Sequence, residues 1–369
     1  MSGTNYIQRR KKLASIMKRE EVEAFLITNV VNVSYLTGFS GDDSWLLLAG
    51  KDAILISDSR YEEQIKEQCP ELEYWMRPAR QSMYEAVKVL LKSWFPKKKE
   101  MEFGFEADSF TIYDFNELRE VLGINTFVPL VDTVERLREI KDKTEIEAIR
   151  NSLRCARRAF EIVRSSLRPD QSETDIRNDL EYNMFKLGAE GVGFPSIVAV
   201  GPRAALPHAV PMPGNFVRDS DHLLIDWGAK KDFYISDLTR VLITTKKPSD
   251  KLRKIYNIVL SAQKAAIAAI RPGIASGEID KTARSFIEKA GYGKMFGHGL
   301  GMQVHERGGF RIGAETVLKP GMILTVEPGI YLPGWGGIRI EDDVLITKDG
   351  CEVLSEGFPK EFDEMIVDL

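Results

Sequence analysis

Two stretches near the C-terminus constrain this chain more than any other: LLIDWGAKKDFYISDLTRVLI, from Leu223 to Ile243, and MILTVEPGIYLPGWGGIRIEDDVLIT, from Met322 to Thr347. In both, arms rich in Ile, Val, Leu and Tyr flank a polar or Gly/Pro turn, placed at Lys231-Asp232 in the first and at Pro333-Gly334-Trp335 in the second. This is the pattern of a β-hairpin. Asp226 and Asp237 are equidistant from the first turn, and Glu327 and Glu341 from Gly334. Residues facing each other across an antiparallel ladder have Cβ atoms roughly 4.5 to 5.5 Å apart, so each hairpin is expected to set two acids side by side. Their neighbours Ile225, Trp227, Val326, Pro328 and Ile340 are apolar. Ionised carboxylates buried together there lose hydration and repel one another, so something positive is required between them.

A pair of divalent cations meets that requirement. Anionic oxygen donors with no thiolate among them suit Mn²⁺ first and Co²⁺, Fe²⁺ or Zn²⁺ next. The chain has four histidines, and His298, in Phe296-Gly-His-Gly-Leu-Gly301, has small neighbours that allow a ring to approach a metal closely. Taken singly, either Asp is as well explained by a surface or strand-end position; facing each other in an apolar hairpin, the two favour metal. Arg339, two residues before Glu341, projects to the same strand face, where it balances the anionic shell or contacts substrate. His222 is expected to be exposed and without a role, and Tyr331 to pack. The glycines around His298 lack the strand, helix and downstream acid of a dinucleotide fingerprint.

The ordered set Asp226 in IDWGA, Asp237 in SDLTR, His298 in GHGLG, Glu327 in TVEPGIY and Glu341 in RIEDD resembles the five metal ligands of the M24 metallopeptidase family, which includes Xaa-Pro aminopeptidase, prolidase and methionine aminopeptidase. Asn32 to Phe39, Ser57 to Tyr61 and Leu137 to Lys141 look like landmarks of the N-terminal domain of its proline-specific members. The resemblance implies the "pita-bread" fold shared with creatinase, and an N-terminal domain that contributes to a homodimer and restricts access to short peptides. It also implies that His208, in Leu-Pro-His, and His305, in Val-His-Glu, line the substrate pocket. The sequence departs from proline-specific relatives at Lys294, where they often have a histidine, and is about three residues shorter before the HGLG segment.

A chain of 369 residues is long for one core. The expected architecture is α/β (α+β), with a small mixed α/β creatinase-like domain over residues 1–127 and a pseudo-twofold pita-bread domain over 128–369. In the first, patterning predicts a helix over Tyr6 to Glu20, a buried strand over Ala24 to Thr28, a hairpin from Trp45 to Ile56 and a helix from Ser82 stopped by Pro96. In the second, a capping box at Thr144 to Glu147 opens a helix toward Leu167, and Ser172 starts another that Gly188 ends. The first hairpin follows. Helices over Ser249 to Ile270 and Gly277 to Ala290 then precede the second hairpin, so helix, helix and acidic hairpin occur twice.

A net charge of −4 and a single basic run, Lys97 to Lys99, give no nucleic-acid footprint. The polar N-terminus and the lack of a long apolar run argue against a membrane, and three scattered cysteines suit the cytoplasm. The expected activity is a dinuclear metal-dependent exopeptidase acting on short peptides with proline second, as an Xaa-Pro aminopeptidase or Xaa-Pro dipeptidase. Glu327 is the expected general base or proton shuttle, with His208, His305 and Arg339 assisting. Arg339, Arg307 and Arg203 are candidates to hold a dipeptide's free carboxylate. The alternative is a metal-free homologue that binds peptides or proteins, or a creatinase-like C–N hydrolase; either would be expected to have lost ligands.

Overall fold

A computed structural model describes residues 4–98, 100–124, 126–292, 297–310 and 313–369. Lys294, Phe296 and the Lys99 end of the basic run lie outside them. The chain divides into two compact units, Met1–Arg138 and Glu139–Leu369.

The first unit is built on a six-stranded mixed sheet in the order Glu73–Met76, Asp52–Ser57, Trp45–Ala49, Ala24–Ile27, Phe103–Glu106, Phe127–Leu130. Its middle strands are the hairpin read from the sequence, with Leu47 opposite Ile54, and Ala24–Ile27 beside it. Leu26, Leu47, Ile56, Phe103 and, from the helices, Val87 and Leu118 close the core. The Met83–Trp94 helix starts after Ser82, as expected, and Ser82 and Glu85 form a capping box at its start.

The second unit repeats one order of elements. Helices Lys143–Ser165 and Glu173–Lys186 lead into the first acidic hairpin, and helices Asp250–Ala269 and Ser276–Lys289 precede the second. The first helix differs from expectation in its start. Asp142, not Thr144, is the cap, its carboxylate accepting from Thr144 and Glu145 N–H while Glu145 reaches back. Both spacings satisfy the motif, and the one starting earlier caps the helix.

The register of the two hairpins sets the positions of the acids. In the second, Ile323–Val326 pairs with Asp342–Ile346 and Gly329–Leu332 with Gly336–Arg339 in one continuous register centred on Gly334, so Glu327 and Glu341 fall opposite each other as read. In the first, Lys231 pairs with Tyr234, the turn is Asp232-Phe233, and Asp226 lies opposite Thr239 rather than Asp237. Both turn residues have positive φ, 52° and 70°, as a two-residue hairpin turn of matching twist requires. No glycine marks this turn; instead the Glu190 carboxylate accepts the N–H groups of Asp232 and Phe233. Moving the turn by one residue moves the partner by two, so Asp237 stays on the face of Asp226 and becomes its diagonal neighbour. Gly228 allows this break in the ladder: a Cβ there would meet the Ser236 carbonyl at 1.8 Å.

The hairpins meet at one bridge, where Glu341 N–H donates to the Thr239 carbonyl at 3.2 Å. All four acids are thereby brought to one place.

Candidate active site

Asp226, Asp237, His298, Glu327, Glu341 and Arg339 line a single cavity of about 1010 Å³ together with His208 and His305. Ligand-type atoms of Asp237, His298 and Glu341 all lie within 4.8 Å of one another. His298 Nε2 is 3.5 Å from Asp237 Oδ2 and 3.4 Å from Glu327 Oε1. The other ring nitrogen, Nδ1, lies 3.1 Å from the Gly299 carbonyl. A carbonyl only accepts, so Nδ1 carries the hydrogen and Nε2 presents a lone pair to the two carboxylates. Burial pushes the His298 imidazole pKa down, which favours that neutral form. The close approach needs Gly299, where a Cβ would meet the Arg307 carbonyl at 2.0 Å.

Lone pair facing carboxylate is repulsive without a cation between them. The acids carry the same signature. Burial first, then Glu341, Asp226 and Glu327, drive the Asp237 carboxyl well above its usual range. Burial and the neighbouring Glu327 and Asp226 do the same to Glu341, and Glu327 is pushed up to about 7, mainly by burial. Asp226 Oδ1 and Glu341 Oε1 are buried with no hydrogen-bond partner among the described residues. Buried carboxylate oxygens are otherwise satisfied, so the donor set fits hard divalent cations in number, type and orientation.

Arg339 organises this shell from below. Its Nη2 lies 2.5 Å from Asp226 Oδ2, Nη1 donates to the Tyr331 hydroxyl at 2.7 Å, and Nε donates to Thr239 Oγ1 at 2.9 Å. Thr239 Oγ1 in turn donates to Glu341 Oε2 at 2.6 Å. Burial opposes the charge on Arg339, but Tyr331, Asp226, Glu341 and Glu327 outweigh it and hold the group well above its ordinary pKa. With all four carboxylates ionised, one guanidinium would still leave three net negative charges in the cavity lining.

A family model for metallopeptidase family M24 matches residues 147–348. The chain belongs to this family. Residues 9–140 match the Creatinase/Prolidase N-terminal domain, so the architecture is that of an M24 peptidase with a creatinase-like N-terminal part. An Xaa-Pro dipeptidase of Pyrococcus horikoshii is 36% identical over 352 residues, 94% of this chain and 96% of that relative. The solved Xaa-Pro dipeptidase from Bacillus anthracis has a TM-score of 0.90 at 36% identity, covering 99% of this chain and 100% of that one. An X-Pro aminopeptidase structure from Thermotoga maritima MSB8 reaches 0.86 at 34% identity, covering 95% and 100%.

Several M24 site features differ from the sequence reading. Tyr331 does more than pack, since it lines the cavity and receives the Arg339 hydrogen bond. His222 is 2% exposed, stacks on Trp335 at 5.2 Å and meets Asp221 Oδ1 at 2.7 Å; it is the first residue of the strand His222–Trp227, which is buried throughout. Arg203 is committed to Glu173 at 3.0 Å and does not line the cavity. Arg177 does line it, and its side-chain hydrogen bonds go to Asn178 Oδ1. Its position on a mostly polar helix gave no signal in the sequence. The His305 ring stands perpendicular to His298, with centroids 4.4 Å apart.

Proposed function

We propose that this M24 chain hydrolyses the bond between an N-terminal residue and a following proline, with Asp226, Asp237, His298, Glu327 and Glu341 holding two divalent ions, Mn²⁺ foremost. The observation that supports this is the gathering of four carboxylates and one imidazole lone pair in a single peptide-sized cavity, with Asp226 Oδ1 and Glu341 Oε1 buried and without a hydrogen-bond partner among the described residues. A metal-free binding protein has no use for such an arrangement, which would only destabilise it. Bound divalent cations supply Lewis acidity, acidifying water and polarising a carbonyl.

The chain's own residues do the rest. Glu327 takes up the proton released in the attack on one of its carboxylate oxygens and returns it to the leaving nitrogen. His208 and His305 donate ring N–H groups to the developing oxyanion or to that nitrogen. Phe194, Pro195, Pro207, Pro211, Val304 and Phe310 form apolar walls. Proline's imide nitrogen has no hydrogen to offer, so such walls recognise the ring by shape. We further place the protein in the cytoplasm as a homodimer: free Cys69, Cys155 and Cys351 suit a reducing compartment, and the creatinase-like N-terminal match supports the dimer.

The test is to strip metal with a chelator, restore Mn²⁺, and compare hydrolysis of Ala-Pro with that of a longer Ala-Pro peptide. Cleavage of the dipeptide alone marks a dipeptidase, and cleavage of both an aminopeptidase. Cleavage of neither after Mn²⁺ restoration overturns the proposal.

A further inference from the structure

Gln263 is a fully buried amide on the apolar face of the Asp250–Ala269 helix, in line with Leu252, Ile255, Tyr256, Val259 and Ala266. A buried amide is destabilising unless its donors and acceptor are all used, and here they are. Nε2 donates to Asp342 Oδ2 at 2.9 Å, and it also lies 3.4 Å from the Val326 carbonyl and 3.3 Å from the Ile340 carbonyl. Oε1 accepts from Lys360 Nζ at 3.1 Å. Three acceptors around Nε2 and one donor at Oε1 leave a single orientation for the amide.

Val326 and Ile340 are the residues immediately before Glu327 and Glu341. The β-ladder thins at this point to one long bond, Ile340 N–H donating to the Pro328 carbonyl at 3.4 Å. Pro328 has no N–H to give, and Glu341 N–H leaves the hairpin for the Thr239 carbonyl. The amide therefore spans the thinned stretch of the ladder from which both glutamates project. Its own anchor is rigid: Asp342 also accepts from Arg240 at 2.8 Å, Ser355 at 2.7 Å and Lys360 at 2.5 Å, and Arg240 donates to the Glu341 carbonyl at 2.6 Å.

We infer that Gln263 is a positioning residue for Glu327 and Glu341, fixing the backbone on the N-terminal side of each so that the two carboxylates present their oxygens together to divalent cations. The inference rests on the metal-binding reading above, and it assigns to a helix remote in sequence a part in setting metal affinity. Groups that orient metal ligands typically contribute about 10- to 100-fold in affinity.

Gln263→Met keeps the side-chain length and removes both polar ends. Calorimetric titration of the chelated full-length protein with Mn²⁺ is expected to show binding weakened about 10- to 100-fold, and the visible spectrum of the Co²⁺ form is expected to shift in position or intensity. A purely structural role would lower the melting temperature of the metal-free protein while leaving affinity and spectrum at wild-type values; that result overturns the inference. Should Gln263→Met not fold, Lys360→Met carries the test, because Lys360 orients the amide from a side chain that is 21% exposed. It is expected to weaken Mn²⁺ binding about tenfold, and wild-type affinity there is equally fatal. If the wild-type protein itself binds no Mn²⁺, the metal-site reading has failed; if it binds and the variants match it, only the role of Gln263 has.

Discussion

Arg339→Met puts the electrostatic account of the site at greatest risk. The substitution keeps an unbranched side chain but removes the buried positive charge and the donors to Asp226, Tyr331 and Thr239. Among the described residues Asp226 then has both oxygens without a partner, because Oδ1 already lacks one. Removing one member of a buried ion pair costs about 3–5 kcal/mol. For a unit of this size each kcal/mol lowers the melting temperature by about 2–4 °C, so the transition of the Glu139–Leu369 unit is expected to fall by roughly 6–20 °C in chelated protein. Tyr331→Phe, which removes one hydroxyl acceptor, is the control at about 1 kcal/mol. Saturating Mn²⁺ should narrow the gap between Arg339→Met and wild type, since cations supply the charge that the guanidinium no longer does. The assay is calorimetry on both proteins, with chelator and with Mn²⁺. An Arg339→Met protein that melts within 2 °C (roughly 1 kcal/mol or less) of wild type in chelator would falsify the idea that unbalanced carboxylates dominate this floor.

Three further outcomes are expected. Glu327 is raised to about 7 in the folded, metal-free protein from an ordinary 4.5, so the folded state binds the extra proton between those values; stability from this group is full below pH 4.5 and is lost as pH rises through about 7, a difference of about 3 kcal/mol. Denaturant titrations of chelated protein at pH 5 and pH 8 measure it, and Mn²⁺ should reverse the trend because it needs deprotonated ligands; equal stability at both pH values in chelator contradicts the burial argument. Asp237→Asn is expected to reduce bound metal and abolish proline-peptide hydrolysis with an unchanged circular dichroism spectrum, and retained activity refutes the role given to Asp237. Arg177 lines the cavity and is proposed to hold the free carboxylate of a dipeptide, so Arg177→Ala should raise KM for Ala-Pro about tenfold or more, as loss of a charged hydrogen bond of about 1.5–3 kcal/mol implies, with a smaller effect on longer peptides; an unchanged KM refutes that role.

The acids themselves were legible because each motif is local: Asp226, Asp237, Glu327 and Glu341 stand in or beside apolar strands, where a pair of acids, unlike a single one, calls for a cation, and Pro333-Gly334 marks its turn plainly. The order of helices and hairpins was legible for the same reason, since apolar periodicity and caps act within a few residues. What lay beyond reach was every feature decided by a partner far along the chain. The first turn sits at Asp232-Phe233 because Glu190 supplies the acceptor that a glycine would have made unnecessary. Arg339 is placed by its strand face to balance the anionic shell, but the fold decides that it meets Asp226, 113 positions away, and brings the hairpin carbonyls to Gln263 on the apolar face of its helix. Sequence determines which side chains are available and on which face of an element they lie. Only tertiary packing decides which of them meet, because a buried charge or amide is satisfied by whatever the rest of the fold places within about 3 Å of it.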